Sequence, residues 1–331
     1  MPNAPTIVDR RPISAARGRA NGLLPPIDRE SASKLPNVFV VGAAKSGTTA
    51  LYGYFKAHPQ IHVPEKVKEA NYLAFPDGLP SLNGPGDKWV YEETVTELAH
   101  YLRLYGERSV DLSADVSHTY MYYPHAARNI AEVCPHAKII MILRNPVECV
   151  FSMYSMMRRY DREPCHRFRD AFLDSPRRVA AGWEWAWDYQ NYYLFAAQVA
   201  RYLRLFPRSQ IFIRRYEDLK NDPSRYYTDL CGFLGVSTID VAGANRRVNL
   251  APTRREMLRK RKLTRRLLRA LHVAGWLCPP PWKAALRRRL LDRPAFVLGR
   301  EDRRMLVDHF RPDIEKLGRL LSWDVSAWLA V

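Results

Sequence analysis

Gly42 and Gly47 stand five residues apart in "VFVVGAAKSGTTALYGYF", Val38 to Phe55, with Lys45 and Ser46 between them and Thr48 and Thr49 after them. This is the glycine spacing of a phosphate loop of the G-x-x-x-x-G-K-[ST] type, but Thr48 occupies the place of that pattern's lysine. Glycines let backbone N–H groups approach an anion, and a helix starting near Thr48 aims its positive end at the same point. In nucleotide triphosphatases the lysine after the second glycine reaches the β- and γ-phosphates, and an acid on another strand helps to hold Mg²⁺. Here the second strand of this kind, "KIIMIL", ends instead in Arg144, within "LRNPVECVFS". An arginine at the carboxyl end of a parallel strand lies where open α/β sheets bind ligands. It repels Mg²⁺ and attracts phosphate. Ser152 follows eight residues later on the next helix, so Arg144 and Ser152 together can clamp a second phosphate by charge-assisted hydrogen bonds. The ligand implied carries phosphate at two places and needs no metal.

The elements that must position these residues are legible in the hydrophobic pattern. "NVFVVG" at Asn37, "KIIMILR" at Lys138 and "QIFIRR" at Gln210 are short, nearly all apolar and bounded by polar or turn residues, as strands buried on both faces are. "GERSVDLS", near Gly106, is a further candidate strand. Helical patterns cover Thr48–His58, Pro146–Tyr160 and Tyr192–Leu205. "YEDLKNDPSRYYTDLCGFLGV" reads as a turn, a proline start and a helix closed by Gly235. Strands alternating with helices predict an α/β fold, a P-loop-like central parallel sheet flanked by helices, with a basic helical C-terminal extension over about residues 250–331. Residues 1–35 read as a flexible polar tail and 36–331 as one domain. A length of 331 residues, 47% hydrophobic and 26% charged, fits such a globular domain. No run approaches a membrane span, and the N-terminus lacks a secretory core. The five cysteines are scattered with no C-x-x-C pair, which argues against a disulfide framework or a zinc site and for a cytoplasmic protein, at most peripheral to a membrane.

One cofactor with phosphates at two places is 3′-phosphoadenosine 5′-phosphosulfate (PAPS). "GAAKSGTTALYGYF", "VKEANYLAF", "ILRNPVECVFSMY" and "RYEDLKNDP", in that order, resemble the PAPS-dependent sulfotransferases, in particular the bacterial and heparan-sulfate-type branch that modifies carbohydrates. The resemblance runs from Asn37 to Val236, and "FRPDIEKLGRLLSWDVSAWL" is similar to the family's ending. It implies transfer of a sulfuryl group from PAPS to a hydroxyl or amine of a carbohydrate, glycolipid or other small acceptor. By the same resemblance Lys45, Ser46, Gly47, Thr48 and Thr49 hold the 5′-phosphosulfate, Lys45 neutralises the bridging oxygen, and Arg144 and Ser152 grip the 3′-phosphate. Glu69 falls in a K-E-x-x-[FY]-like motif as the general base, with His118, His125 and Asp115 as fallbacks. The chain departs from the branch at Asn71, where some relatives carry histidine, and in "ADVSHTY", where Asp115 and Val116 stand for Glu and Lys. No "RKG" adenosine loop appears near residue 250; Arg246, Arg247, Arg254 or Arg255 fills that role.

Two further stretches bear on the acceptor. "GWEWAWDYQNYY", Gly182–Tyr193, packs three tryptophans and three tyrosines, read chiefly as core at helical spacing with one or two rings reaching the cleft. Residues 253–293 hold fourteen Lys or Arg against two acids, a surplus of twelve in a chain of net charge +18. This stretch suits an anionic glycan or membrane surface. It contains no recognisable nucleic-acid module. The alternatives are a Mg-dependent P-loop kinase, which the missing lysine opposes, and a non-catalytic basic polyanion-binding protein.

Overall fold

The structure is a computed structural model that describes residues 24–106, 109–240 and 296–331. The basic stretch 253–293 and Arg246, Arg247, Arg254 and Arg255 lie outside the described residues, as does most of the expected tail. Five strands form one parallel sheet: β1 (Val38–Gly42), β2 (Ile61–His62), β3 (Leu112–Asp115), β4 (Lys138–Leu143) and β5 (Ile211–Arg215). Their spatial order is β2-β3-β1-β4-β5. The helices are α1 (Arg29–Ser33), α2 (Thr48–Ala57), α3 (Lys88–Glu93), α4 (Leu98–Gly106), α5 (Pro124–Val133), α6 (Pro146–Arg159), α7 (Phe168–Ala180), α8 (Phe195–Leu205), α9 (Tyr216–Asn221), α10 (Pro223–Leu234) and α11 (Arg300–Leu321).

Alternation along the strands sorts the core into two layers. Val38, Val40, Ile140, Ile142 and Phe212 face α2 and α10, where Tyr54 stacks on Tyr227 with ring centroids 3.9 Å apart. Phe39, Val41, Ile139, Met141, Leu143, Ile211 and Ile213 face the other way, against α5, α6, α8 and α11. The apolar stripe of α11, Leu306, Val307, Phe310, Ile314 and Leu317, is wholly buried there. At roughly 1.5–3 kcal/mol for each large apolar side chain, that stripe fixes α11 firmly to the sheet domain.

The sequence leads from β1 to β2 and β3 on one side, and then to β4 and β5 on the other. The order therefore reverses at β1, and a crevice opens at its carboxyl end. The β1–β4 register shifts between Val40 and Gly42, where the chain leaves the sheet for the glycine loop. The segments following β1, β3, β4 and β5 all emerge at this end, and they carry Lys45, His118, Arg144 and Tyr216.

Several expected elements are corrected. The strand expected at "GERSVDLS" begins only at Leu112 and runs on to Asp115, because Ala114 and Asp115 supply the pairing with β1. The tail reading gives way near its end to α1, whose first turn is capped by the Asp28 side chain, and Leu24 and Ile27 pack against the core. "YEDLKN" is helical rather than a turn, with the Asp218 carboxylate accepting from the Arg215 N–H. Within Gly182–Tyr193 the chain makes a short 3-10 turn, Trp185–Trp187, rather than an α-helix, although its rings are largely core as expected. Among the described residues no helix is long and apolar enough to cross a membrane.

Candidate active site

Three features fix the shape of the glycine loop. A Cβ on Gly42 would come 2.5 Å from Met121 Sδ and 3.0 Å from its Cβ, so any larger residue at the strand end would have to displace the Met121 side chain. Gly47, at φ +98°, ends the loop as the N-cap of α2 in a conformation strained for any side chain. Lys45 itself sits at φ +65°, a region that a non-glycine residue keeps only where its surroundings hold it. Ser46 is engaged within the loop. Its N–H donates to the Ala43 carbonyl at 3.2 Å, and its buried hydroxyl lies 3.5 Å from Cys149 Sγ. Thr48 is buried and Thr49 exposed on the first turn of α2, whose N–H groups have no side-chain cap.

Cations converge on that helix start. The Lys45 ammonium lies 3.4 Å from Met156 Sδ. Burial, together with the charges of Arg159, Lys68 and Arg144, brings it from the ordinary 10.5 down to about 8. Arg144, just beyond β4, donates from NH1 to the Lys45 carbonyl at 3.2 Å and lies 4.9 Å above the Tyr216 ring. The turn after it is set by Asn145, whose Oδ1 accepts from the Val147 N–H at 3.0 Å, and by Pro146 at the first position of α6. Ser152, Met156 and Arg159 follow at helical spacing along α6, each half-buried.

Opposite the loop stands the segment Lys68–Tyr72. Asn71 adopts φ +55°, its N–H donates to Ser117 Oγ at 3.0 Å, and its Oδ1 accepts from the Thr119 hydroxyl at 2.6 Å. Ser117 in turn donates to Asp115, which also accepts from the hydroxyls of Tyr101 at 2.8 Å and Tyr120 at 2.7 Å. This scaffold presents Glu69 with 19% of its side chain exposed. Glu69 Oε1 lies 2.6 Å from Lys68 Nζ and Oε2 lies 3.0 Å from His118 Nε2. Burial pushes this carboxyl up, but His118 and Lys68 outweigh it and hold the group ionised, well below the usual carboxylate range. Lys68 also reaches within 3.5 Å of Thr48 Oγ1, so a single ammonium joins Glu69 to the start of α2. His118 is fixed by the Tyr192 hydroxyl, 2.9 Å from Nδ1, and by the edge of Trp185, with ring centroids 4.7 Å apart.

A cation-lined helix start with a carboxylate facing it is an arrangement for moving an anionic group onto a nucleophile that must lose a proton. A family model described as the sulfotransferase family matches residues 36–240 of the chain. The chain belongs to the sulfotransferase family. The crystal structure of a sulfotransferase from Alicyclobacillus acidocaldarius superposes with a TM-score of 0.67 at 31% identity, covering 89% of this chain and 99% of that one. In sequence, a bifunctional heparan sulfate N-deacetylase/N-sulfotransferase 1 of Caenorhabditis briggsae is 23% identical over 65% of this chain, and a type 4 enzyme of Mus musculus 25% identical over 61%. The match spans only 24% and 22% of those longer proteins. The kinase and binding-protein alternatives find no support in these comparisons.

The sulfotransferase brings together Lys45, Thr48, Arg144 and Glu69, all expected from the sequence. Of the fallback bases only His118 reaches the site. Asp115 is fully buried, with its carboxyl pushed up to about 6 by that burial and its oxygens taken by hydroxyl donors. His125 lies 2.7 Å from the Ala74 carbonyl, and burial lowers its pKa. Sequence reasoning missed Lys68 and Arg159. The first is the lysine of the K-E-x-x-[FY] motif itself, and the second lies two helical turns from Ser152 on the same face.

Proposed function

We propose that the enzyme transfers the sulfuryl group of PAPS to a hydroxyl or amine of a carbohydrate or glycolipid acceptor and releases adenosine 3′,5′-bisphosphate (PAP). The observation that carries this reading is the group Lys45, Lys68, Arg144 and Arg159 around the start of α2, with Glu69 tied to it through Lys68. A lysine whose pKa is lowered by burial and like charge favours an anion that relieves the repulsion. The residues present therefore fit the donor. Lys45, Gly47, Thr48 and Thr49 would hold its 5′ group, and Arg144 and Ser152 its 3′-phosphate.

The donor supplies a sulfuryl group joined to phosphate through a bridging oxygen, whose S–O bond opens as the acceptor attacks sulfur. Glu69, ionised and partly exposed, takes the proton that the acceptor O–H or N–H gives up. Lys45 and the uncapped N–H groups of α2 place fixed positive charge where negative charge collects on the phosphate. Lys68 keeps the base at a set distance from the loop. His118, held by Tyr192, orients the second carboxylate oxygen. The names of the heparan sulfate relatives support a carbohydrate acceptor. The basic stretch 253–293 supports an anionic glycan or contact with an anionic membrane surface.

The test is transfer from ³⁵S-labelled PAPS to a panel of amino sugars, heparosan and N-desulfated heparan fragments, with and without EDTA, beside a parallel assay with ATP and Mg²⁺ in which EDTA is left out. Transfer that survives EDTA and is abolished by Arg144→Ala is the expected result. Phosphoryl transfer from ATP and Mg²⁺, with none from PAPS, would overturn the proposal.

A further inference from the structure

Arg303 stands on the first turn of α11, 155 residues beyond Glu148, and its NH2 lies 2.5 Å from Glu148 Oε1. The other oxygen of the same carboxylate, Oε2, lies 3.8 Å from Arg144 NH2. One carboxylate thus stands between two guanidinium groups, hydrogen-bonded to Arg303 and at the longer, ion-pair distance of 3.8 Å from Arg144. Arg144 is already held on two other sides, by the Lys45 carbonyl and the Tyr216 ring. Arg303 is carried on a helix whose apolar stripe, from Leu306 on, is wholly buried, and Asn145 Nδ2 donates to the Trp328 carbonyl at 3.2 Å, a second tie between the C-terminal region and the Arg144 turn. These ties hold the backbone that carries Arg303 beside the Arg144 turn without help from Glu148.

We propose that Arg303 is a positioning residue for donor recognition: it draws Glu148 away from Arg144 and leaves that guanidinium free for the 3′-phosphate. The inference rests on the reading above, in which Arg144 binds that phosphate. Glu148 is the residue best placed to compete. It lies one helical turn from Arg144 at i+4, and a change of rotamer would bring its two oxygens onto the arginine fork, the bidentate pairing that phosphate also uses. With Arg303 present the carboxylate is already satisfied. Without it, an incoming phosphate must displace Glu148 from Arg144. Glu217 is the second acid near Arg144. Burial raises its pKa, and its Oε2 lies buried without a hydrogen-bond partner in the structure. It is unchanged in every variant below and serves as a constant background.

The experiment is calorimetric titration of the full chain with PAP and with adenosine 5′-phosphosulfate, which lacks the 3′-phosphate. Wild type is compared with Arg303→Ala, Arg303→Lys, Glu148→Gln and the double variant Arg303→Ala/Glu148→Gln, each checked for an unchanged thermal midpoint. Arg303→Ala is expected to weaken PAP about five- to tenfold, the scale of one partly exposed charge pair, with adenosine 5′-phosphosulfate unchanged. Arg303→Lys should stay near wild type, and the double variant should regain wild-type PAP affinity. Equal loss of both ligands in Arg303→Ala, or a double variant as weak as the single one, overturns the role of Arg303. Wild type that fails to bind PAP overturns the donor reading itself, and this inference with it.

Discussion

The 42–49 loop and the 68–72 segment face each other across the crevice, and they are held in opposite ways. The loop is shaped by its own residues: Gly42 packed tightly against Met121, Lys45 and Gly47 at positive φ, and the first turn of α2 behind them. It collects cations. The segment opposite is shaped from afar, by Ser117, Thr119 and Asp115 after β3 and, through His118, by Tyr192 and Trp185. It presents a carboxylate. The difference suggests a division of labour in which one edge binds the anionic donor and the other handles the acceptor's proton. The two edges should then fail separately when mutated.

The largest separate failure is expected from Glu69→Gln. Loss of a positioned general base should lower transfer about 10²- to 10⁴-fold in kcat. The unfolding midpoint should fall as well, because the ion contacts with Lys68 and His118 that hold the carboxyl ionised are lost, so kcat is compared on folded protein. A variant with more than a tenth of wild-type kcat would place the base elsewhere, with His118 the next group to examine.

The loop edge should declare itself through pH. The Lys45 ammonium, near 8 in the free protein, is raised towards its ordinary value when an anion binds, so binding above pH 8 requires proton uptake. PAP affinity is therefore expected to change little between pH 7 and 7.5 and to fall by up to about tenfold per pH unit above 8, with the fall abolished in Lys45→Arg. An affinity independent of pH from 7 to 9.5 would mean that Lys45 does not touch the donor.

Ser117→Ala sharpens the comparison from the other side. It strands the buried Asn71 N–H and removes a donor to Asp115, at a cost of about 1–3 kcal/mol in unfolding free energy. Transfer should fall about tenfold through misplacement of Glu69, by analogy with other small displacements of a reacting group. PAP affinity should not change. The smallest effect is expected from His118→Asn, a several-fold loss in kcat, because Lys68 still holds one carboxylate oxygen. A loss as large as that of Glu69→Gln would make His118 the proton acceptor.

The same contrast explains what could be read from the sequence. The loop was legible because its requirements are local: glycine spacing, a strand before it and a helix after it all fall within eighteen residues. Arg144 and its asparagine–proline helix start were legible for the same reason. The Glu69 edge was reached only through family resemblance, since nothing nearby in the chain says that Asn71 will lean on Ser117 or that His118 will meet Tyr192, 74 residues away. Spacing does not say which way a hydroxyl turns, and that of Ser46 turns inward to Cys149. The short strand β2 has two residues and no pattern to betray it. The aromatic run was correctly assigned to the core, while its backbone was not, because ring burial in a 3-10 turn and in an α-helix looks alike in one dimension.

The division of labour is tested most directly by calorimetric titration of PAP into wild type, Arg144→Ala and Glu69→Gln at pH 7. Arg144→Ala should lose PAP by tenfold or more. Glu69→Gln should bind it as well as wild type or slightly tighter, since a negative charge next to Lys68 and Thr48 has been removed. Equal weakening in both variants would contradict the account, because it would make the two edges a single binding surface.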